Sequence, residues 1–196
     1  MTYNPRDHFF KKAKLDNFAA RSVYKLEEIN KKLRIFKPGD IVLDLGASPG
    51  SWSQYVSAQV GTKGQVLGID LKPVEVKLEN AKFIQADLYD LNLDEVLKSH
   101  GFESGFHSVI SDMAPKTTGI RVTDQARSTE LCELALTTAD RFLNKKGSFV
   151  CKLFHSDDFQ SLKKMILSKY EKFEAIKPEA TRAISKEIFL VGIRKK

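Results

Sequence analysis

Cysteine is scarce: Cys132 and Cys151 are the only two in 196 residues, with no CxxC pair and no Cys/His ligand spacing. That excludes a disulfide framework and speaks against a structural zinc site. His8, His100, His107 and His155 are dispersed as well, so no metal is expected. Long hydrophobic runs are also missing. Stretches of the Phe189-Leu-Val-Gly-Ile193 kind are the longest, far short of the roughly 20 residues that span a bilayer. The opening Met1-Thr-Tyr-Asn-Pro-Arg6 lacks the apolar core of a signal peptide. A soluble, cytoplasmic chain with no membrane attachment is the expectation. There is no repeat or low-complexity tract, and glycine and proline are scattered singly as turn markers. With 42% hydrophobic and 29% charged residues the balance is that of a globular protein and not of a disordered one. At this length one domain is expected over residues 1–196, with a basic N-terminal extension at 1–38 and a core at 39–196.

Charge is unevenly spread within the net +7. Residues 1–38 carry ten basic and four acidic side chains, 39–140 eight and fifteen, and 141–196 fourteen and six. Basic ends around an acidic middle suggest a positive surface for a polyanion beside a body with another task. Solvated lysines on helix backs are the competing account.

The middle of the chain alternates short, β-branched apolar segments with helical ones. Strands are expected at Ile41–Leu45, Gln65–Asp70, Lys82–Ala86, His107–Ser111 and Ser148–Lys152, and helices near 50–60, 92–100, 124–143 and 157–170. This is the pattern of βαβ units: an α/β, Rossmann-like sheet with helices on both faces. Two more strands, Lys172–Lys177 and Glu187–Ile193, follow without a helix between them. So short a connection does not make a parallel crossover, and the last strand is expected to run antiparallel in a seven-stranded mixed sheet. Ahead of the sheet, Val23, Leu26, Ile29, Leu33 and Phe36 form an apolar stripe that predicts a helix over Ala19–Phe36. Lys25 lies about 80° from the centre of that stripe at 100° per residue, on its border.

The first strand runs into Asp44-Leu-Gly-Ala-Ser-Pro-Gly50 and then opens a helix. Gly46 and Gly50 are four apart and lack the close G-x-G pair that admits a pyrophosphate, so a nucleotide-like ligand without bridging phosphates suits the turn better. Five successive strands end in Gly46, Asp70, Asp87, Asp112 and Lys152, all on the carboxyl edge where open α/β sheets bind ligands. Asp70 stands where such a fold places an acid on ribose hydroxyls, and Asp87 is positioned to accept from an amino group or a base edge. Trp52, close after Gly50, is a candidate cofactor contact, with a role inside the first helix as the competing account.

Asp44-Leu-Gly-Ala-Ser-Pro-Gly-Ser-Trp-Ser-Gln54 and Ser111-Asp-Met-Ala-Pro115 resemble the cofactor-binding and acceptor-side motifs of the FtsJ-type (heat-shock) ribose 2′-O-methyltransferases. Arg21-Ser-Val-Tyr-Lys-Leu-Glu27, Cys151-Lys-Leu-Phe154 and Ser185-Lys-Glu-Ile-Phe189 match the same family in order and spacing, so the resemblance runs from about Arg6 to Ile193. It implies a class I methyltransferase fold, S-adenosylmethionine as cofactor, and RNA as substrate, most closely a uridine of 23S large-subunit ribosomal RNA. It further implies a catalytic tetrad at Lys25, Asp112, Lys152 and Glu187, and cofactor contacts at Gly50, Trp52, Asp70, Asp87 and Asp112. Ser51 departs from the family, which usually has a second glycine there; a helix N-terminus accepts serine well. A monomer is expected.

Methyl transfer from a sulfonium to a hydroxyl is an in-line displacement that must also remove a proton from a weakly acidic alcohol. Lysine acts as that base when its pKa falls toward neutrality, which a second cation and partial desolvation favour and nearby carboxylates oppose. Lys152 is the expected base, with Lys25 as second cation and Asp112 and Glu187 holding the amines. Arg6, Lys11, Lys12, Lys14 and the later Lys/Arg residues are expected to contact phosphates around it. A tRNA anticodon-loop or cap ribose methyltransferase would share the tetrad. A non-catalytic RNA-binding or ribosome assembly factor would have no need of Lys152 or Glu187. Cys132 sits among leucines in a helical stretch and Cys151 in a buried-type strand, so both are expected to pack in the core.

Overall fold

The structure, a computed structural model, describes residues 8–182 and 185–196. Arg6, one of the expected phosphate contacts, lies outside them. Two helices come first, α1 (His8–Leu15) and α2 (Val23–Leu33). The body then runs β1 (Ile41–Leu45), α3 (Ser51–Val60), β2 (Gln65–Asp70), β3 (Ala81–Gln85), α4 (Leu93–His100), β4 (Phe106–Ser111) and α5 (Arg121–Phe142). It closes with β5 (Leu143–Phe154), α6 (Phe159–Lys169), β6 (Tyr170–Ile176) and β7 (Glu187–Lys195). The seven strands form one sheet in the order β3-β2-β1-β4-β5-β7-β6. Pairs among β1 to β5 are parallel, whereas β7 pairs antiparallel with both β5 and β6. This is the mixed Rossmann-like sheet that the element pattern predicts, with its last strand reversed.

Successive strand residues point to opposite faces, and the core divides accordingly. On one face Val42, Ile110, Val150 and Val191 pack under α2 and α3 through Leu26, Ile29, Trp52 and Val56. On the other, Leu43, Val109, Cys151 and Leu190 pack under α4, α5 and α6 through Leu97, Cys132, Leu136 and Ile166. Both cysteines are buried in this second layer, as expected, with their sulfurs 2.7 Å apart. Burial pushes the Cys151 thiol pKa up, which disfavours the thiolate.

Besides shifts of a few residues at other ends, three features differ from the sequence reading. The stripe over Ala19–Phe36 is helical only from Val23 to Leu33, because Arg34 turns into the left-handed region at φ 52°. The Asn30 side chain then accepts from the amides of Ile35 (2.9 Å) and Phe36 (3.2 Å), so those residues stay buried after the helix has ended. Helix α1 was not foreseen; Ala13 and Phe9 on it pack with Val23, Tyr24 and Ala180, which fixes it beside the start of α2. Strand β5 begins at Leu143, earlier than the expected Ser148, across a register shift between Phe106 and Ser108.

The last three residues of the basic C-terminal segment also lie differently from the expectation that this segment flanks the tetrad. Because β7 starts at the carboxyl edge and runs antiparallel, Arg194, Lys195 and Lys196 end at the opposite edge of the sheet. There Lys195 donates to the carbonyls of Ala139 (3.2 Å) and Leu143 (2.8 Å), at the end of α5. Lys196 does the same for Leu167 (2.8 Å) and Ser168 (3.1 Å) at the end of α6. These cations satisfy the orphan carbonyls of helix C-termini.

Candidate active site

The carboxyl ends of β1, β2 and β4 and the loop after β3 open into a cleft of about 620 Å³. Gly46, Asp70, Asp87, Asp112 and Met113 are among the residues that line it. Gly46 has φ +80°, and a Cβ there would meet Met113 Cγ at 2.8 Å and the Met113 amide nitrogen at 3.0 Å. Only glycine lets the loops after β1 and β4 approach so closely. Asp70 spans two loops: its Oδ2 accepts from the Ser48 amide (2.9 Å) and its Oδ1 from the Lys72 amide (2.7 Å). Asp87, exposed on the rim, accepts from the Tyr89 amide at 3.0 Å. The volume lies in the range of small-ligand clefts. Three carboxylates on the wall of a cleft of this size, Asp70, Asp87 and Asp112, supply acceptors that suit the hydroxyl and amino groups of a nucleoside-type cofactor.

Gly50 and Trp52 stand behind this wall and do not line it. Gly50 (φ +112°) lies against Val76, whose Cγ2 a Cβ would meet at 2.3 Å. Trp52 is 2% exposed; its ring packs on Phe189 with centroids 5.7 Å apart, and its indole N–H donates to the Ser22 carbonyl at 2.9 Å. Its position ties α3 to the chain just before Lys25.

The four residues of the expected tetrad meet as two ion pairs on the α2/α3 face. Lys152 Nζ donates to Asp112 Oδ1 at 2.9 Å and to the Asp112 backbone carbonyl at 2.6 Å. Lys25 Nζ pairs with Glu187 Oε1. Register brings the pairs together: Lys152 lies opposite Phe189, and Glu187 opposite Phe154, two residues further along β5. Lys25 Nζ sits 5.9 Å from the centroid of the Phe189 ring. Lys152 and Glu187 are each only 8% exposed. Charges this buried are stable only when paired, and both are. Asp112 belongs to both assemblies, since it lines the cleft and holds Lys152.

Asp44 is a site residue to which the sequence reading assigned no role. It sits in β1 one layer below Gly46, wholly buried, on the α2/α3 face. Its Oδ2 accepts from Ser53 Oγ at 2.6 Å, while its Oδ1 has no partner among the described residues. Burial above all, with smaller contributions from Asp112 and Asp70, pushes its pKa from 3.8 up to about 7 against the pull of the Ser53 hydrogen bond. The available signal was a lone acid in the middle of Ile41-Val-Leu-Asp-Leu45.

Among family models, FtsJ-like methyltransferase matches residues 18–195. The chain is 69% identical over 196 residues, all of both chains, to the ribosomal RNA large subunit methyltransferase E of Bdellovibrio bacteriovorus. It is 46% identical over 195 residues to the protein of the same name from Desulfatibacillum aliphaticivorans, covering 97% of this chain and 91% of that one. A crystal structure from Plasmodium falciparum, described as that of a ribosomal RNA methyltransferase, superposes with a TM-score of 0.81 at 27% identity, over 91% of this chain and 98% of that one. Motifs, sheet order and full-length similarity agree: the chain belongs to the FtsJ-like methyltransferase family.

Proposed function

We propose that this protein transfers a methyl group from S-adenosylmethionine to a ribose 2′-hydroxyl of RNA, a uridine of 23S large-subunit ribosomal RNA, acting as a cytoplasmic monomer. Among the described residues no helix is long and apolar enough to cross a membrane. The observation that carries the reading is the bond of Lys152 to Asp112, since it joins a buried amine to the wall of a nucleoside-sized cleft.

S-Adenosylmethionine, when bound, supplies an electrophilic methyl group. Asp70 and Asp87 are assigned to its polar groups and Asp112 to the boundary between cleft and acceptor; Gly50 and Trp52 shape the wall from behind. Lys152 is assigned as the proton acceptor. As a neutral amine it would spend its two N–H groups on the Asp112 carboxylate and carbonyl, which leaves its lone pair to face the incoming hydroxyl. Asp112 thereby orients the base, and Glu187 keeps the Lys25 ammonium close to it. Alignment and proton removal are the two demands of displacement at a methyl carbon by an alcohol.

The test is to incubate the protein and labelled S-adenosylmethionine with large ribosomal subunits, protein-free ribosomal RNA and tRNA, then map the product. Methylation at a uridine ribose of large-subunit RNA is expected, and none at a target nucleotide carrying a 2′-deoxy sugar. Labelling of tRNA alone, or of the deoxy substrate, would overturn the assignment.

A further inference from the structure

The loop after β4 has two halves. Residues Asp112 to Lys116 line the cleft, and the rest leads outward to the start of α5. Asp124, in the first turn of α5 and 8% exposed, anchors that outer half. Its Oδ1 accepts from the Thr118 amide (2.7 Å) and hydroxyl (2.9 Å), and its Oδ2 from the Gly119 amide (3.2 Å). Thr118 Oγ1 in turn accepts from the Ile120 amide at 3.2 Å. The same end of α5 grips the loop that follows Lys152: Gln125 donates to the His155 carbonyl at 2.6 Å, and Ser128 Oγ accepts from the Phe154 amide at 2.9 Å. The start of α5 is thus braced against both segments that carry the Lys152–Asp112 pair.

On this anchored corner stand two bare apolar side chains, Ile120 at 63% and Val122 at 75% exposure. Neither belongs to a core cluster. Leaving such surface in water on a fixed support costs free energy that a bound partner would recover. The surroundings specify the partner, because Lys116, Arg121 and Arg127 are exposed around the pair and would suit phosphates. The depth of Lys152 adds a second reason. A ribose that reaches an amine so buried must leave its helical stack, which uncovers the face of the neighbouring base.

We propose that Ile120 and Val122 form an apolar wedge that packs against the nucleobase next to the methylated nucleotide, with Asp124 as its positioning residue. The wedge selects RNA in which that base is free to unstack. It rests on the RNA-methylation reading and adds a contact that is not electrostatic.

The experiment compares wild type with the Ile120→Ser/Val122→Ser double variant on intact large ribosomal subunits and on a protein-free large-subunit ribosomal RNA transcript, after the wild-type product has been mapped. Absence of wild-type methylation on both substrates would defeat the RNA reading itself. Given methylation, the double variant is expected to keep its melting temperature, its S-adenosylmethionine affinity and its salt slope of RNA binding. Its kcat/KM should fall about tenfold or more, in line with the loss of an apolar contact to one base. The Ile120→Leu/Val122→Ile pair should restore it. Unchanged kcat/KM would overturn the wedge, and so would failure of the apolar pair to rescue. A loss seen only with intact subunits would replace the base by a ribosomal protein as the partner.

Discussion

Lys152 is the residue on which the proposed chemistry turns. Lys152→Ala should leave folding and S-adenosylmethionine binding intact while lowering turnover by a factor of about 100 to 10,000, the range of acid–base catalysis. Single-turnover rates read this directly. Lys152→Arg should not rescue, since a guanidinium keeps the charge and stays protonated. Near-normal turnover in that variant would reduce the lysine to an electrostatic anchor. Asp44 supplies a second test at this scale. Its folded pKa is raised from 3.8 to about 7, so between those values the native state holds a proton that the unfolded chain has released. Stability therefore falls as pH rises through that window, by about 1.4 kcal/mol per unit at full linkage. Asp44→Asn should lose this decline, and denaturant titrations at pH 4 and pH 8 would reveal the flattened slope. Equal slopes in the two proteins would mean that Asp44 is ionised in the fold throughout.

At the scale of elements, lysines that look alike in the sequence have separate tasks. Lys195 holds the last carbonyls of α5 and is part-buried, with its pKa lowered chiefly by desolvation. Lys195→Met should cost about 1 kcal/mol of stability, the scale of a helix C-terminal interaction, and leave RNA affinity unchanged. An unchanged midpoint of chemical unfolding would remove it from the capping role. Helix α1 is the converse case. Among its cations Lys11 and Lys14 are exposed, and it packs on Tyr24, the residue before Lys25 in the chain. The apolar stripe of α2 was legible because periodicity reports burial. Its end at Leu33 was not, because a side-chain acceptor at Asn30 and a left-handed Arg34 decide it. Likewise α1 is too short to announce itself by period alone.

For the whole molecule, net charge translates into function only through position. The log of RNA affinity should fall linearly with log salt, while S-adenosylmethionine affinity barely changes. Replacing Lys11 and Lys14 together by alanine should lower the magnitude of that slope by about 1 to 2, as expected for lost phosphate contacts. Replacing Lys195 and Lys196 should not. If both pairs lowered it equally, RNA would extend over the far edge of the sheet as well. Alternation of apolar segments foretold the sheet, its reversed last strand and the row of residues at its carboxyl edge, because side-chain period and connection length are local properties. Lys25, Asp112, Lys152 and Glu187 were named by the resemblance of their motifs to the FtsJ-type family. Which carboxylate holds which lysine was decided by the register of β5 against β7 and by α2 packing over Phe189. That Trp52 turns into the core, that Asp44 loses its solvent and that the C-terminal lysines close helix ends were likewise tertiary outcomes. Burial and pairing depend on neighbours distant in the chain, and only the folded sheet brings those neighbours together.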